Sequence, residues 1–257
     1  MHLKETDKSL ESRETTFKTI HAILEKIKTD LEKILQLTVI SNHPLNGKRE
    51  AKLIARKNNI EVKIEPNYTL RSSLFPPEII SLAPNTQKDF GREVEVQCLN
   101  LADTFGGKIC AALDRQHPRD LFDVKNLLEN EGITTDVKDS FLFYLISHNR
   151  PINELLDPNF KDIENEYKNE FLSMAKVDLD ELLKTRVELV KKLKEKLTQD
   201  DKDFLISFVS NKPNWTKVRD NKIKEFPSIK WKLMNQERMD KTKLQEYINK
   251  VDKALSS

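Results

Sequence analysis

The residues able to do chemistry lie close together in LADTFGGKICAALDRQHPRDLFD, residues 101–123. Leu101, Phe105, Ile109 and Leu113 recur at helical spacing as an apolar stripe, and Lys108 falls about a hundred degrees from it, at the edge of the face that must be buried. Gly106 and Gly107 each cost this helix roughly 1 kcal/mol relative to alanine. A close approach by another backbone or by a ligand is the expected compensation. Pro118 ends the first helix, and Asp120 and Asp123 fall in the first turn of the next. Acids there favour the positive helix end, which by itself accounts for both. Spacing alone does not separate that capping role from a chemical one.

Further elements must hold this segment in place. From Ser12 to about Leu37 the residues Phe17, Ile20, Leu24, Ile27, Leu31, Ile34 and Leu35 repeat every three or four positions, which predicts an amphipathic helix. LTVISN is a short β-branched run, and KREAKLIARKNNIEVKIEPN reads as a hairpin about Asn58-Asn59. In its second strand Ile60, Val62 and Ile64 share one face, and Glu61, Lys63 and Glu65 the other. EVEVQCL, residues 93–99, alternates in the same way. The prolines of TLRSSLFPPEIISLAPNTQKDFG, Pro76, Pro77 and Pro84, argue against regular helix there. After Leu101 the period is helical over 101–115, 120–130, 134–148, 152–156, 162–175, 178–197, 200–210 and 240–255. The fold class is therefore α+β: a sheet-containing part over 1–100, then an all-helical part over 101–257 that carries the opening segment.

Composition narrows the function classes. The chain of 257 residues can bury a core without disulfides, and Cys98 and Cys110 lie outside any CxxC spacing, so reduced thiols and a cytoplasmic setting are expected. No apolar run reaches the ~20 residues of a membrane span. Five glycines leave no Walker-type or dinucleotide-type phosphate loop. The net charge of +2 conceals a local excess: residues 211–257 hold twelve Lys or Arg against six acids, with Trp215, Phe226 and Trp231 interleaved. Such a stretch can track a phosphate backbone and stack on bases, or be a solvated face with aromatic core anchors.

The run LADTFGGKICAALDRQHPRDLFDVKNLL resembles the last two motifs of the AbiEii/AbiGii nucleotidyltransferase toxin family, a Lys on one helix and Arg-Asp-x-x-Asp at the start of the next. VKIEPNYTLRSSLFPPE, SHNRPINELLDP and FPSIKWKLMN also look like this family, so the resemblance covers most of the chain. It implies a partial nucleotidyltransferase-like mixed sheet with helices, and transfer of a nucleoside monophosphate from an NTP to an acceptor, RNA being a plausible one, under the control of an antitoxin. Mg²⁺ and NTP are the cofactors it implies, with no membrane partner. Carried over residue by residue, Lys108 contacts phosphate, Asp120 is the main motif acid, and Arg119 and Asp123 support it; Arg119 joins Lys108 in nucleotide binding. Asp120 and Glu65, the latter on the polar face of the hairpin strand, are the candidate metal ligands, although a solvated strand face also accounts for Glu65. Phosphate and metal ligands of this kind are expected to face solvent, so that in an enzyme with all of the family's motifs present Lys108→Ala and Asp120→Ala should abolish transfer and leave the thermal midpoint almost unchanged.

Members of that family open with a Gly-Gly/Ser-Thr turn and an Asp-x-Asp strand, and neither occurs in place here. Asp178-Leu179-Asp180 begins a long helical pattern and reads as a helix N-terminus. The expectation is a chain that starts just past the first two motifs and is nearly inactive alone, with an apolar sheet surface left open beside the 60–66 strand. The alternative function is a non-catalytic helical module that only binds nucleic acid or antitoxin.

Overall fold

The computed structural model describes residues 13–47, 49–68 and 72–256. They form two compact units, one up to residue 72 and one from residue 73 onward.

In the first unit, helix α1 (Arg13–Leu35) turns its apolar stripe onto an antiparallel sheet of β1 (Thr38–Ser41), β2 (Leu53–Lys57) and β3 (Ile60–Ile64), in the order β1-β2-β3. Gln36, at φ 52°, takes the left-handed conformation that commonly ends a helix. Ile20 and Leu24 of α1 close over Val39, Ala51, Leu53 and Ala55. The Tyr68 hydroxyl accepts from Ala51 N at 2.8 Å and donates to Ala51 O at 3.0 Å, clamping the chain ahead of β2. The hairpin turns at Asn58, whose φ of 54° suits an asparagine. Its register sets Ala55 opposite Val62 and Leu53 opposite Ile64, so the apolar residues of β3 continue the face that α1 covers on β2. Ile64 packs partly against that core, but Ile60 is 70 % exposed and Val62 55 %.

The second unit opens with a two-stranded antiparallel sheet, β4 (Glu78–Ser81) and β5 (Glu95–Cys98), enclosing a short helix α2 (Pro84–Phe90). The Pro-rich stretch is thus structured, contrary to the expectation from its prolines. Pro84 occupies the first helical position, where the missing N–H has no intrahelical partner to lose and the fixed φ suits the helix. Among the described residues nine more α-helices follow: α3 (Leu101–Asp114), α4 (Pro118–Glu129), α5 (Thr135–Ser147), α6 (Ile152–Leu156), α7 (Glu164–Glu166), α8 (Leu179–Lys196), α9 (Gln199–Val209), α10 (Pro227–Glu237) and α11 (Lys241–Ser256). Helix α10, started by Pro227 in the same way as α2, is absent from the helical pattern of the sequence. The helix expected over 162–175 is only α7 followed by a π-helical turn, Tyr167–Phe171. The architecture is α+β, and every strand pairing among the described residues is antiparallel.

Helix α5 is the centre of this unit. Apart from half-buried Asp139, residues 137–147 are all buried, so its sequence shows apolar character on every side rather than one stripe. The buried charged member of that run, Lys138, is held by Asp139 at 2.8 Å and Asp201 at 2.7 Å. Burial pulls its amine down, and the two carboxylates outweigh that and leave it raised. Asp201 also closes the capping box of α9 with Thr198, tying the start of α9 to the core helix. Cys110 is buried and Cys98 half-buried, both free; burial raises the Cys110 thiol and keeps it unreactive. Among the described residues no helix is long and apolar enough to cross a membrane.

Candidate functional site

Helices α3 and α4 carry the segment singled out by its residue types. Helix α3 is capped by Asn100, whose side chain accepts from Ala102 N at 2.8 Å. One turn in, Asp103 is buried and accepts from Leu74 N at 3.1 Å, Phe75 N at 2.8 Å and the Ser140 hydroxyl at 2.6 Å. That carboxylate fastens the 74–75 backbone and α5 to the start of α3. Gly106 lies where α3 meets α5 most closely: a Cβ there would stand 2.7 Å from Ser140 C and 2.8 Å from Phe141 N. The compensation expected for this glycine is therefore a backbone approach. Gly107 differs, since its nearest neighbour would be the Tyr144 ring at 4.0 Å.

The turn between the helices is built by Gln116 and His117. Gln116, at φ 58°, is buried; its amide nitrogen donates to Asn159 O at 2.8 Å, and its amide oxygen accepts from Lys161 N at 3.0 Å and Arg186 Nη1 at 2.9 Å. Arg186 also donates to Lys161 O at 2.8 Å and stacks over Phe160 at 4.4 Å; burial lowers its guanidinium. His117 caps α4, its Nδ1 accepting from Arg119 N at 3.1 Å, which leaves Nε2 to face Glu170 at 3.3 Å.

The charges expected at a site are each engaged. Lys108 Nζ donates to Asp123 Oδ2 at 2.5 Å, both side chains being about one third exposed. Asp120 does not meet Lys108; both of its oxygens accept from Arg115, Oδ2 from Nε at 3.0 Å and Oδ1 from Nη2 at 2.7 Å. Asp120 is 8 % exposed, which corrects the expectation of a solvent-facing acid: Pro118 starts α4 so tightly against α3 that the first-turn side chain is enclosed. Arg119 Nη2 donates to Glu170 Oε2 at 3.1 Å, from the π-helical turn. Glu65 belongs to the first unit, where Lys52 at 2.9 Å hydrogen-bonds it and holds its carboxyl below the usual range. Asp178 and Asp180 mark the start of α8, as their position in the helical pattern implies. Arg115, Gln116, Glu170 and Arg186 were not legible as partners, because only the return of the 159–186 segment brings three of the four contacts into being.

Among the described residues no three His, Cys, Asp or Glu side chains lie together as a metal site. With Asp120 closed by Arg115 and Glu65 by Lys52, these residues do not fit Mg²⁺.

Behind the turn, Asp114 pairs with Arg150, which also meets Glu154 at 3.1 Å. Lys232 of α10 donates to His148 O at 2.5 Å and Arg150 O at 2.8 Å, capping the end of α5. Burial pushes the Lys232 amine down to about 8 against the pull of those carbonyls. The unfolded chain then holds a proton that the folded chain lacks between pH 8 and the ordinary lysine value of about 10.4, so stability from this group rises with pH across that window. Urea midpoints at both ends of the window should show a smaller rise for Lys232→Met than for the wild type, by the equivalent of about 2–3 kcal/mol. An identical rise would place the amine at its ordinary value.

The basic C-terminal stretch is only partly engaged inside the fold. Trp215 packs on Phe204 at 5.7 Å and Phe208 at 6.3 Å, and Phe226 on Phe143 at 5.5 Å, so both are core anchors. Lys217 is paired with Asp200 and Asp203, Arg219 with Asp136 and Asp139, and Lys230 with Glu225. Trp231 is 45 % exposed, and Lys222, Lys224, Lys241 and Lys243 are exposed as well.

Comparison with known families gives first a class, that of nucleotidyl transferase toxins. Residues 4–235 match the family model described as Nucleotidyl transferase AbiEii toxin, Type IV TA system, and the chain belongs to that family, toxins of type IV toxin–antitoxin systems. No curated protein and no solved structure matches the chain.

Proposed function

We propose that the chain acts in the transfer of a nucleoside monophosphate from an NTP to an RNA acceptor, in the cytoplasm and restrained by an antitoxin. The family match over residues 4–235 carries this reading. In the reaction an acceptor hydroxyl oxygen bonds to the α-phosphorus, the bond to pyrophosphate breaks with its electron pair leaving on pyrophosphate, and the hydroxyl proton passes to solvent. The residues of α3 and α4 supply the phosphate-binding side. Lys108, about one third exposed, exchanges Asp123 for a phosphate oxygen, as a compact cation readily does. Arg119, half exposed, adds a planar fork steadied by Glu170. Asp120 acts on Arg115 and so on the shape of the turn. Residues 1–100 belong, in this reading, to a partial nucleotidyltransferase core and 101–257 to the helical domain.

The test is calorimetric titration of the full chain with NTP, followed by labelled-nucleotide transfer to RNA. Lys108→Ala is expected to weaken NTP binding about tenfold through loss of a charge-assisted contact. A chain that binds no NTP, or a Lys108→Ala variant that binds as the wild type does, removes the reading. The second reading, a non-catalytic module for nucleic acid or antitoxin, is favoured by the closure of every motif charge in an ion pair. Its mark is salt-dependent RNA binding in the absence of any NTP binding.

A further inference from the structure

Among the described residues strand β3 is an edge of its sheet, with Ile60 70 % and Val62 55 % exposed. An antiparallel ladder leaves every second residue of such a strand with N–H and C=O directed outward, a template for another strand unless charge, proline or a bulge blocks it. Neither proline nor a bulge interrupts 60–64, where the register with β2 runs unbroken from Ile60 to Ile64. The charges do not block it either, because of their order. Ile60-Glu61-Val62-Lys63-Ile64 reads the same backwards except that Glu and Lys change places.

We infer that β3 is the contact of a symmetric homodimer, pairing antiparallel with β3 of a second copy about a two-fold axis through Val62. In that register Ile60 faces the partner's Ile64, Val62 faces the partner's Val62, and Glu61 faces the partner's Lys63, twice over by symmetry. The neighbouring registers fail. A dyad through Glu61 sets the two Glu61 side chains opposite each other, and one through Lys63 sets lysine against lysine and Glu61 against the partner's Glu65. A shift that places the dyad between residues sets apolar side chains against charged ones, since opposed residues share a face. The β2 neighbours extend the match: Arg56 already holds Glu61 at 2.8 Å, so the row Arg56, Glu61 and the partner's Lys63 alternates in sign. The product is a continuous six-stranded antiparallel sheet, β1-β2-β3 joined to β3-β2-β1.

Sedimentation equilibrium of the full chain tests this. The wild type is expected to show a concentration-dependent monomer–dimer equilibrium. Lys63→Glu, which disturbs no ion pair among the described residues, sets two Glu–Glu pairs across the axis and should raise the dimer Kd about tenfold or more, with circular dichroism unchanged. Glu61→Lys should do the same with Lys–Lys pairs. Mixing the two variants restores both opposite-charge pairs across the axis, although the Arg56–Glu61 pair stays broken in the Glu61→Lys chain, and should restore the dimer as a heterodimer. A wild type that stays monomeric at its highest attainable concentration overturns the inference. So does a dimer indifferent to Lys63→Glu, which would move the contact to the exposed apolar residues Ile79, Phe90 and Val96. Two folded variants that remain monomeric when mixed overturn it equally.

Discussion

Gly106→Ala is expected to destabilise the protein by about 1–3 kcal/mol, the range for overpacking, whereas Gly107→Ala one residue later should stabilise it by up to about 1 kcal/mol. The opposite signs come from what each new methyl group meets. At 106 it would stand 2.7 Å from Ser140 C, 2.8 Å from Phe141 N and 2.9 Å from Ser140 Cβ. Two of these are backbone atoms of the central helix and cannot rotate away, so α3 must lift from α5 and loosen the cover over Ile109 and Phe141, both fully buried. At 107 the nearest atoms, on the Tyr144 ring, are 4.0 Å away, and the methyl gains ordinary contact along with helix propensity. Denaturant unfolding of both variants measures the pair of signs. Equal destabilisation would show that α3 and α5 do not meet as closely at 106 as described. If Gly107→Ala stabilises the free chain but weakens NTP binding, the space above Gly107 is occupied by ligand in the nucleotide complex.

Asp120→Ala is expected to cost about 1–3 kcal/mol, the usual loss for hydrogen bonds to a charged group. The Asp120 side chain is 11 % exposed and receives both donors of the Arg115 fork, so its removal opens an enclosed site and frees an arginine that is 65 % exposed. Arg115→Ala should cost a similar amount by leaving the carboxylate unpaired in its enclosure. In a double-mutant cycle the two changes should be strongly non-additive, the second costing little once the first is made. Additivity within error would mean the fork contributes nothing and would return Asp120 to a solvent-facing role. Run beside nucleotide transfer, the same variants separate positioning from chemistry: if Asp120 acts through Arg115, the two single variants lose transfer in parallel. If Asp120 alone is required, Arg115→Ala retains transfer.

Periodicity was enough to find α1, the hairpin of β2 and β3, and helices α3, α4, α5, α8, α9 and α11, because each buries a regular face whose spacing is written in its own residues. It also placed the break at Pro118 and the acids after it, and the motif residues were sufficient for the family. What it could not decide was which charge meets which. Lys108 and Asp123, like Arg115 and Asp120, are joined by the crossing of α3 over α4, and Arg119 finds Glu170 only because the chain returns some fifty residues later. Ion pairs and hydrogen bonds are short in range and specific in angle, so they follow from packing and leave no periodic trace. The same holds for the two glycines, alike in sequence yet set apart by a neighbouring backbone that reaches one and not the other. It holds for β3 as well, whose alternation promises a buried face and whose neighbours leave that face open, since burial depends on what lies across the sheet and alternation records only which side a residue points to.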